Sequence, residues 1–379
     1  MISLHKPQIR LIDLLINPFI RKPKEKLLSK FKEYFNTENI ILLNSARYGI
    51  KLALESIGVK NDSEVIIPSL ICKSVPDAVL ESGAKPIFCD VEKNSLKMDP
   101  KFCEKLITEK TKAIILPHLF GIPGKIDEFI SIAKKYDISI IEDCAQAFGA
   151  EYRGKKVGTF GDFAVFSFGI SKNIAATGGG LLICKNQKVC REIQDKIKLK
   201  RHQNLKKLLL AFSSIIVFKR PFYGYFYKRI KQFGEKKKDI SFREFEGDIS
   251  DFDSRLILSQ LGRYISILHR RNNNADIYMR KLSPNIILAT PDPNATPSYL
   301  FFPIRSEKID EITSFLLKKG IEVSNLAFNE VYNDPRYKFG VKRNCTNFQN
   351  IMNDYMLLPV GHSKHVTEKI CEILSFYKG

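Results

Sequence analysis

The chain has 379 residues, 44% of them hydrophobic, and 61 lysines and arginines against 41 acidic residues give a formal net charge of +20. This length allows a large domain with a smaller partner and a sizeable buried core. The positive balance suits phosphorylated ligands, nucleic acid or an anionic membrane surface, but the lysines are spread along the whole chain, as on a generally lysine-rich surface. The sequence has no zinc-finger spacing, RNP-like motif or basic–aromatic repeat, so we expect no nucleic-acid partner.

The eight cysteines form no C-x-x-C pair, and several lie inside apolar runs, such as Cys89 and Cys184. This distribution is typical of free, buried thiols in a reducing cytosol, and we expect no metal site. Lys6, Arg10 and Asp13 interrupt the N-terminal sequence, which therefore lacks the contiguous apolar core of a signal peptide. We expect a cytoplasmic protein.

Residues 1–36 are predicted to form an N-terminal arm, and residues 37–247 a large domain in which strands alternate with helices. Helical patterns at 47–57, with Ser45 as its cap and Gly58 as its stop, and at 126–136 lie between short apolar runs rich in β-branched residues. The runs predicted as buried strands are 40–43, 65–67, 87–89, 113–116, 138–141, 163–168 and 181–184. This alternation predicts a mostly parallel sheet sandwiched by helices, an α/β fold with its ligand beyond the carboxyl ends of the strands.

Residues 205–230 are predicted to be an apolar and aromatic helical insertion in the large domain. The apolar run 208–218 is flanked by basic pairs and is too short to span a bilayer, which needs about 20 residues. It fits a helix buried in the fold or against a second subunit, and it also fits a segment that docks on the inner membrane face, since basic and aromatic flanks favour the interface. Residues 248–379, with a helical pattern at 256–268 and a mixed stretch after it, are predicted to be a smaller α+β domain that ends in a helix at 366–377.

Polar residues follow three of the predicted elements. Asp143 comes directly after an apolar strand, Ser167 and Lys172 flank the end of another, and Ser45 begins a helix whose free N–H groups can hold a phosphate. Taken singly, Asp143 and Ser45 are also typical helix caps, and Lys172 is one of many lysines. Their joint position at strand ends of one domain indicates a site.

At these residues the sequence resembles the DegT/StrS family of sugar aminotransferases, which are fold-type-I (aspartate-aminotransferase-like) enzymes that use pyridoxal 5′-phosphate (PLP). The resemblance runs from about residue 40 to residue 184 and is highly specific in combination. It is carried by residues 65–69, 83–91, 111–114, 118–121, 142–149, 153–158, 160–162 and 167–173, the last with the pattern Ser-Phe-x-x-Ser-Lys-Asn.

The resemblance implies a role for each matching residue. Lys172 matches the lysine that carries PLP as a Schiff base, and Asp143 matches the carboxylate that pairs with the protonated pyridine nitrogen. Gln146 matches the residue that contacts the ring hydroxyl. Ser167 and the turn Ser45-Ala46-Arg47 match the groups that hold the phosphate.

The sequence also departs from the family pattern. Ala46-Arg47 replaces the usual Gly-Thr, and Arg47 offers a guanidinium that can bind phosphate through two hydrogen bonds. Cys72 occupies the position near which the family places an aromatic residue over the ring. Residues 246–248 are Glu-Gly-Asp where the family often has Asn-Tyr-Arg, which puts a contact to the neighbouring subunit in doubt.

The resemblance implies a homodimer that moves an amino group from an amino acid, L-glutamate, to a nucleotide-linked keto-sugar, in the making of amino sugars for surface polysaccharide (lipopolysaccharide) or antibiotics. His118 and Asn173 are candidate substrate contacts. A PLP-dependent sugar dehydratase of the same family is an alternative, although those relatives carry His at the lysine position. A catalytically idle scaffold that binds membrane through 205–230 is another, and a nucleotide-binding protein is disfavoured because no G-x-G-x-x-G follows the first strand.

Overall fold

The computed structural model of the chain describes residues 1–93, 95–200, 202–218, 223, 241–288, 290–324, 328–337 and 344–375. A seven-stranded sheet forms its centre, in the order β1-β9-β8-β5-β4-β2-β3. The strands up to β9 are β1 (Ile40–Leu43), β2 (Glu64–Pro68), β3 (Lys85–Cys89), β4 (Thr111–Pro117), β5 (Ser139–Asp143), β6 (Glu151–Tyr152), β7 (Lys155–Lys156), β8 (Phe163–Ser167) and β9 (Gly180–Cys184). Every run predicted as a strand forms one. The other six strands of this sheet all run in one direction, and β9 runs in the opposite direction. The predicted, mostly parallel sheet is therefore confirmed.

Helices cover both faces of this sheet. The helices of this half are α1 (Leu11–Ile16), α2 (Pro23–Phe35), α3 (Ala46–Ser56), α4 (Ser74–Glu81), α5 (Pro100–Glu104), α6 (Ile126–Tyr136), α7 (Gln187–Lys196) and α8 (Asn204–Val217). Successive strand residues point to opposite faces, so Ile140 packs in the core that contains α2 and α6, and Ile141 in the core that contains α3 and α4. Because both faces of the sheet are buried, the strands are continuous apolar runs and do not alternate apolar with polar residues.

Part of the predicted N-terminal arm belongs to the core. Helix α2 buries Leu27, Phe31 and Phe35, and the ring of Phe31 stacks on Phe168 with centroids 5.5 Å apart. Phe168 directly follows β8, so α2 supports the strand end that leads to Lys172. The boundaries of the arm and of the two domains stay predictions.

The C-terminal third mixes helices and short strands, as predicted. Its elements are α9 (Asp251–Lys281), β10 (Ala295–Thr296), β11 (Phe301–Arg305), α10 (Ile309–Lys318), α11 (Phe328–Asn333), α12 (Thr346–Ile351), β12 (Tyr355–Pro359) and α13 (Lys364–Ser375). Strands β11 and β12 pair antiparallel, and residues of α9, α10 and α13 pack with them in a separate apolar core. Helix α9 is much longer than the stretch 256–268 that its pattern predicts.

Helix α8 covers the first part of the segment 205–230 that is predicted to be a helical insertion. It buries Ala211 and Ser214 but leaves several leucines exposed. Residues 219–222 and 224–230 of the predicted insertion lie outside the described residues. Within the part of the chain that the structure describes, none of the helices has the length and apolar character that crossing a bilayer requires.

Candidate active site

The polar residues singled out in the sequence meet at one edge of the large sheet. Strand β9 runs antiparallel to both β1 and β8, so β1, β8 and β5 all point the same way. Their carboxyl ends place Ser45, Ser167 and Asp143 at this edge. Gly180 brings β9 against the turn after β1: a Cβ atom there would lie 2.5 Å from the Ala46 nitrogen.

Asp143 ends β5 with a carboxylate that has few partners. Its Oδ1 accepts a hydrogen bond of 3.0 Å from the Ala145 N–H, which is the one hydrogen bond it accepts among the described residues. Burial raises the pKa of Asp143, and the positive charge of nearby Lys172 opposes that rise. A partly buried carboxylate with so little support is suited to a cationic partner.

Lys172 lies in a loop that other elements hold in place. Its N–H donates to the Gly169 carbonyl at 2.9 Å. Further along the loop, Gln260 of α9 bonds both the N–H and the carbonyl of Ala175, at 3.0 and 2.6 Å. Asp253 accepts hydrogen bonds from the N–H and hydroxyl of Thr177, at 2.9 and 2.6 Å. Helix α9 therefore fixes the loop that carries the lysine.

The turn at the start of α3 offers anion-binding groups. The Ser45 hydroxyl accepts from the Tyr48 N–H at 3.1 Å and donates to the Phe245 carbonyl at 3.0 Å, so it is the helix cap that the sequence predicts. The N–H groups of Ala46 and Arg47 belong to the first turn, where a helix supplies no internal acceptor. These N–H groups, rather than the Ser45 hydroxyl, are then the groups available to a phosphate.

Arg47 is held beside this turn. Its guanidinium lies 4.0 Å from the centre of the Phe245 ring. Burial lowers the pKa of Arg47, with Asp77 and Cys72 opposing the shift, and its buried Nε has no hydrogen-bond partner among the described residues. A buried guanidinium nitrogen without an acceptor is suited to an anionic ligand.

Gln146 and Cys72 have contacts that the sequence did not indicate. The side-chain oxygen of Gln146 accepts the Phe120 N–H at 2.8 Å, which joins the loop after β5 to the loop after β4. Cys72 is exposed and accepts a hydrogen bond from the Ser74 hydroxyl at 3.2 Å. Their roles toward a cofactor ring, and that of Ser167, stay predictions.

The two candidate substrate contacts, His118 and Asn173, are buried. His118 has no exposed surface, and both its ring nitrogens are engaged: Nδ1 accepts the Gly124 N–H at 3.0 Å and Nε2 lies 3.0 Å from Glu142. Asn173 is 2% exposed, and its amide nitrogen is 3.0 Å from the Ser298 hydroxyl. Both side chains link neighbouring loops, and their role toward a substrate stays a prediction.

His118, Glu142 and Cys144 lie close enough together to resemble a metal site. Because Nδ1 of His118 accepts an N–H, its Nε2 carries the proton and donates to Glu142. Burial raises the pKa of the Cys144 thiol well above its ordinary value, which disfavours the thiolate that metals bind. We therefore interpret this cluster as a hydrogen-bonded part of the core.

His5 is a residue of the site region that the sequence did not indicate. Burial, followed by the charges of Lys172 and Arg271, lowers the pKa of His5 to about 4, so its ring is neutral at pH 7. Its Nδ1 is buried without a hydrogen-bond partner among the described residues, and its ring meets Phe301 edge-on at 4.9 Å. His5 and Lys172 are far apart in the sequence, so no local sequence pattern indicates that they lie near each other.

The site has the groups that PLP requires. The start of α3 and the unpartnered Nε of Arg47 suit a phosphate, the poorly supported Asp143 suits a protonated ring nitrogen, and Lys172 supplies an amine near Asp143. Glu246 and Asp248, which stand in place of the family's cross-subunit motif, are bound within the chain, Glu246 to Lys51 at 2.7 Å and Asp248 to Lys24 at 2.5 Å. The fold and the donor set define a protein of the PLP-enzyme class.

Comparison with known proteins gives the family. A family profile described as the DegT/DnrJ/EryC1/StrS aminotransferase family matches residues 21–375, so the chain belongs to this family. Members of this family depend on PLP, so membership of the family confirms the predicted cofactor. The aminotransferase TlmJ from Streptoalloteichus hindustanus has the same fold, with a TM-score of 0.81 at 19% identity over 99% of this chain and 98% of that one. The predicted aspartate-aminotransferase-like fold is thereby confirmed.

Curated relatives match over part of their length. GDP-perosamine synthase from Escherichia coli O157:H7 is 36% identical over 163 residues, which are 43% of this chain and 45% of that protein. L-glutamine:2-deoxy-scyllo-inosose aminotransferase from Streptomyces lividus is 37% identical over 164 residues, 43% of this chain and 39% of that protein. The chain thus spans less than half the length of these relatives in the matched regions.

Proposed function

We propose that the protein is a PLP-dependent aminotransferase that moves an amino group from an amino acid to a nucleotide-linked keto-sugar, in the making of amino sugars for surface polysaccharide or antibiotics. The observation that carries the proposal is the placement of Lys172 near the partly buried carboxylate of Asp143, which accepts few hydrogen bonds, at the sheet edge where α3 begins. The names of the two curated relatives support a sugar or cyclitol substrate.

Each residue has a distinct task in this proposal. Bound PLP supplies an electron sink that stabilises negative charge at the substrate carbon. Asp143 keeps its negative charge beside the ring nitrogen, which offsets the rise in its pKa that burial causes. The N–H groups of Ala46 and Arg47 and the guanidinium of Arg47 hold the phosphate.

Lys172 performs the proton transfers. Its Nζ would hold the cofactor and, when free of it, would take the proton from the Cα atom of the bound amino acid. The hydrogen bonds that the loop donates to Gln260 and Asp253 hold the amine in reach of that carbon. Neutral His5 adds no positive charge next to this lysine at pH 7.

L-glutamate is the donor we propose first, and L-glutamine is a second candidate because the relative from Streptomyces lividus is named for it. We also propose a cytosolic homodimer. The net charge of +20 is compatible with an acceptor that carries a nucleoside diphosphate.

The test is the absorption spectrum of the protein with PLP, before and after each amino acid, for the wild type and Lys172→Ala. We expect the visible band of lysine-bound cofactor in the wild type, its loss on addition of the true donor, and no such band in Lys172→Ala. Lys134→Ala, which changes an exposed lysine of α6, should behave as the wild type. A wild type without the band would refute the enzyme assignment and favour the scaffold, while a band that both amino acids leave unchanged would refute the proposed donors.

A further inference from the structure

Two neighbouring helices, α1 and α8, present apolar side chains to solvent. Helices α1 and α8 are in contact with each other, and α9 contacts both. Leu15 is 60% exposed, Phe19 82% and Leu209 61%. Among the described residues, the strongly exposed large apolar side chains outside α1, α8 and Phe19 are Tyr136, Leu199 and Ile265. We call the exposed side chains of α1, α8 and Phe19 the apolar surface.

Helix α8 turns its apolar side toward solvent and its more polar side toward the protein. Its inward face carries Lys207, which pairs at 2.6 Å with the fully buried Asp253, together with the buried Ala211 and Ser214. Its outward face carries Leu205, Leu208, Leu209, Phe212 and Ile216. A helix at the surface of a soluble protein normally turns its apolar stripe toward the core. The Lys207–Asp253 pair holds α8 in this reversed orientation, so its apolar side is set outward by a specific contact.

The charges around the apolar surface are mostly positive. Helix α8 contains no acidic residue, and the one acid of α1, Asp13, is 1% exposed and bound to Arg263 at 2.6 Å. Exposed cations border the surface at Arg10, Arg21, Lys22 and Lys206, and one of them, Lys22, pairs with the exposed Glu25 at 3.2 Å. The sequence 219–240, outside the described residues except for Tyr223, continues with Lys, Arg, Phe and Tyr and only two acids, Glu235 and Asp239.

We propose that the apolar surface docks on an anionic membrane, with its leucines and phenylalanines in the interface and its cations on lipid phosphates. Exposed apolar side chains with a cationic border have the chemistry that such a membrane binds. A second copy of the chain fits less well. In a two-fold symmetric contact the same border would face itself, and Arg10, Arg21 and Lys206, cations without an ion pair among the described residues, would meet mostly other cations.

The proposal is tested by sedimentation of the full chain with vesicles of phosphatidylcholine alone and of phosphatidylcholine mixed equally with phosphatidylglycerol. We expect binding to the mixed vesicles and little binding to the neutral ones. Leu209→Gln/Phe212→Gln should weaken binding about tenfold through lost apolar contact. Arg21→Gln/Lys206→Gln should also weaken it by about tenfold or more, because each cation near the surface contributes about fivefold.

Ile265→Gln is the matched control. Ile265 is 69% exposed on α9 and, at about 100° per residue, lies about 200° around that helix from Arg263, which holds α1. This variant should bind vesicles as the wild type does. All the changed side chains are on the surface, so far-ultraviolet circular dichroism should be unaltered in each variant.

Three results would overturn the proposal. They are no binding of the wild type to the mixed vesicles, equal losses in Leu209→Gln/Phe212→Gln and Ile265→Gln, or binding that does not depend on phosphatidylglycerol. Light scattering identifies the rival: a smaller oligomer in Leu209→Gln/Phe212→Gln, with no vesicle binding by the wild type, would assign the apolar surface to a second copy. Vesicle binding needs no cofactor or substrate, so its failure leaves the proposed activity untouched.

Discussion

Glu142 and Asp143 are consecutive carboxylates of one strand, yet they lie in two regions of opposite character. Glu142 has no exposed surface, and its oxygens receive N–H groups from Gly158, Phe160 and Gly161 at 2.8 Å each, as well as His118. Burial alone would raise the pKa of Glu142, but these hydrogen bonds hold it below the ordinary value. Asp143, on the other face, has one N–H partner and a raised pKa.

This difference shows that the number of hydrogen bonds a carboxylate accepts within the protein indicates its role. The protein fully hydrogen-bonds Glu142, so that carboxylate joins the loops around His118 and residues 158–161. Among the described residues, Asp143 has few hydrogen-bond donors and lies near Lys172, so we expect a cationic partner from outside the chain. Sequence position does not separate the two, because both follow the same apolar run.

The largest effect should come from Asp143. Asp143→Asn removes the charge that we assign to the cofactor ring nitrogen, and turnover should fall about a thousandfold, as when other preorganised electrostatic partners are removed. Lysine-bound cofactor should still be visible in the absorption spectrum, because Lys172 is unchanged. Asp137→Asn, an exposed change at the end of α6, should retain full activity. Near-normal turnover in Asp143→Asn would refute the cofactor role that we infer for Asp143 from its few hydrogen bonds.

Glu142→Gln should act on stability instead. The new amide group would point its own N–H toward backbone N–H donors, and the free energy of unfolding should fall by about 3 kcal/mol, measured in urea at pH 7. Because the pKa of Glu142 is lowered in the folded state, this contribution is present above about pH 4.5 and is lost as the pH falls further. The difference from the wild type should therefore shrink in acid.

The exposed change Glu33→Gln, which breaks a surface pair with Lys30, is the control for Glu142→Gln. It should alter the free energy of unfolding by less than about 1 kcal/mol. If Glu142→Gln left stability unchanged and lowered turnover as strongly as Asp143→Asn, the assignment of separate roles would be wrong.

His5 should give the smallest effect, seen as a pH dependence. Its pKa is about 4 in the folded state and about 6.5 unfolded, so between these values the unfolded chain binds more protons and stability rises with pH. In His5→Gln the rise between pH 4 and pH 6.5 should be smaller by roughly 2 kcal/mol, measured by urea unfolding across that range. An unchanged slope would show that the His5 ring is not held neutral beside Lys172.

The sequence by itself determined the seven strands of the large sheet, the cap at Ser45 and the placing of Asp143 and Lys172 at strand ends. These features depend on local periodicity and on residues a few positions apart, which a single sequence displays directly. The motifs around Lys172 and Asp143 also indicated the family that the comparison confirmed.

Only the tertiary structure decided which side chains those elements bring together. It buried His118 and Asn173, brought His5 near Lys172, clamped the lysine loop with Asp253 and Gln260, and turned the apolar side of α8 outward. Each of these outcomes rests on hydrogen bonds or packing between segments far apart in the chain. Such contacts form only when the whole chain is folded, and the local pattern of residues does not encode them.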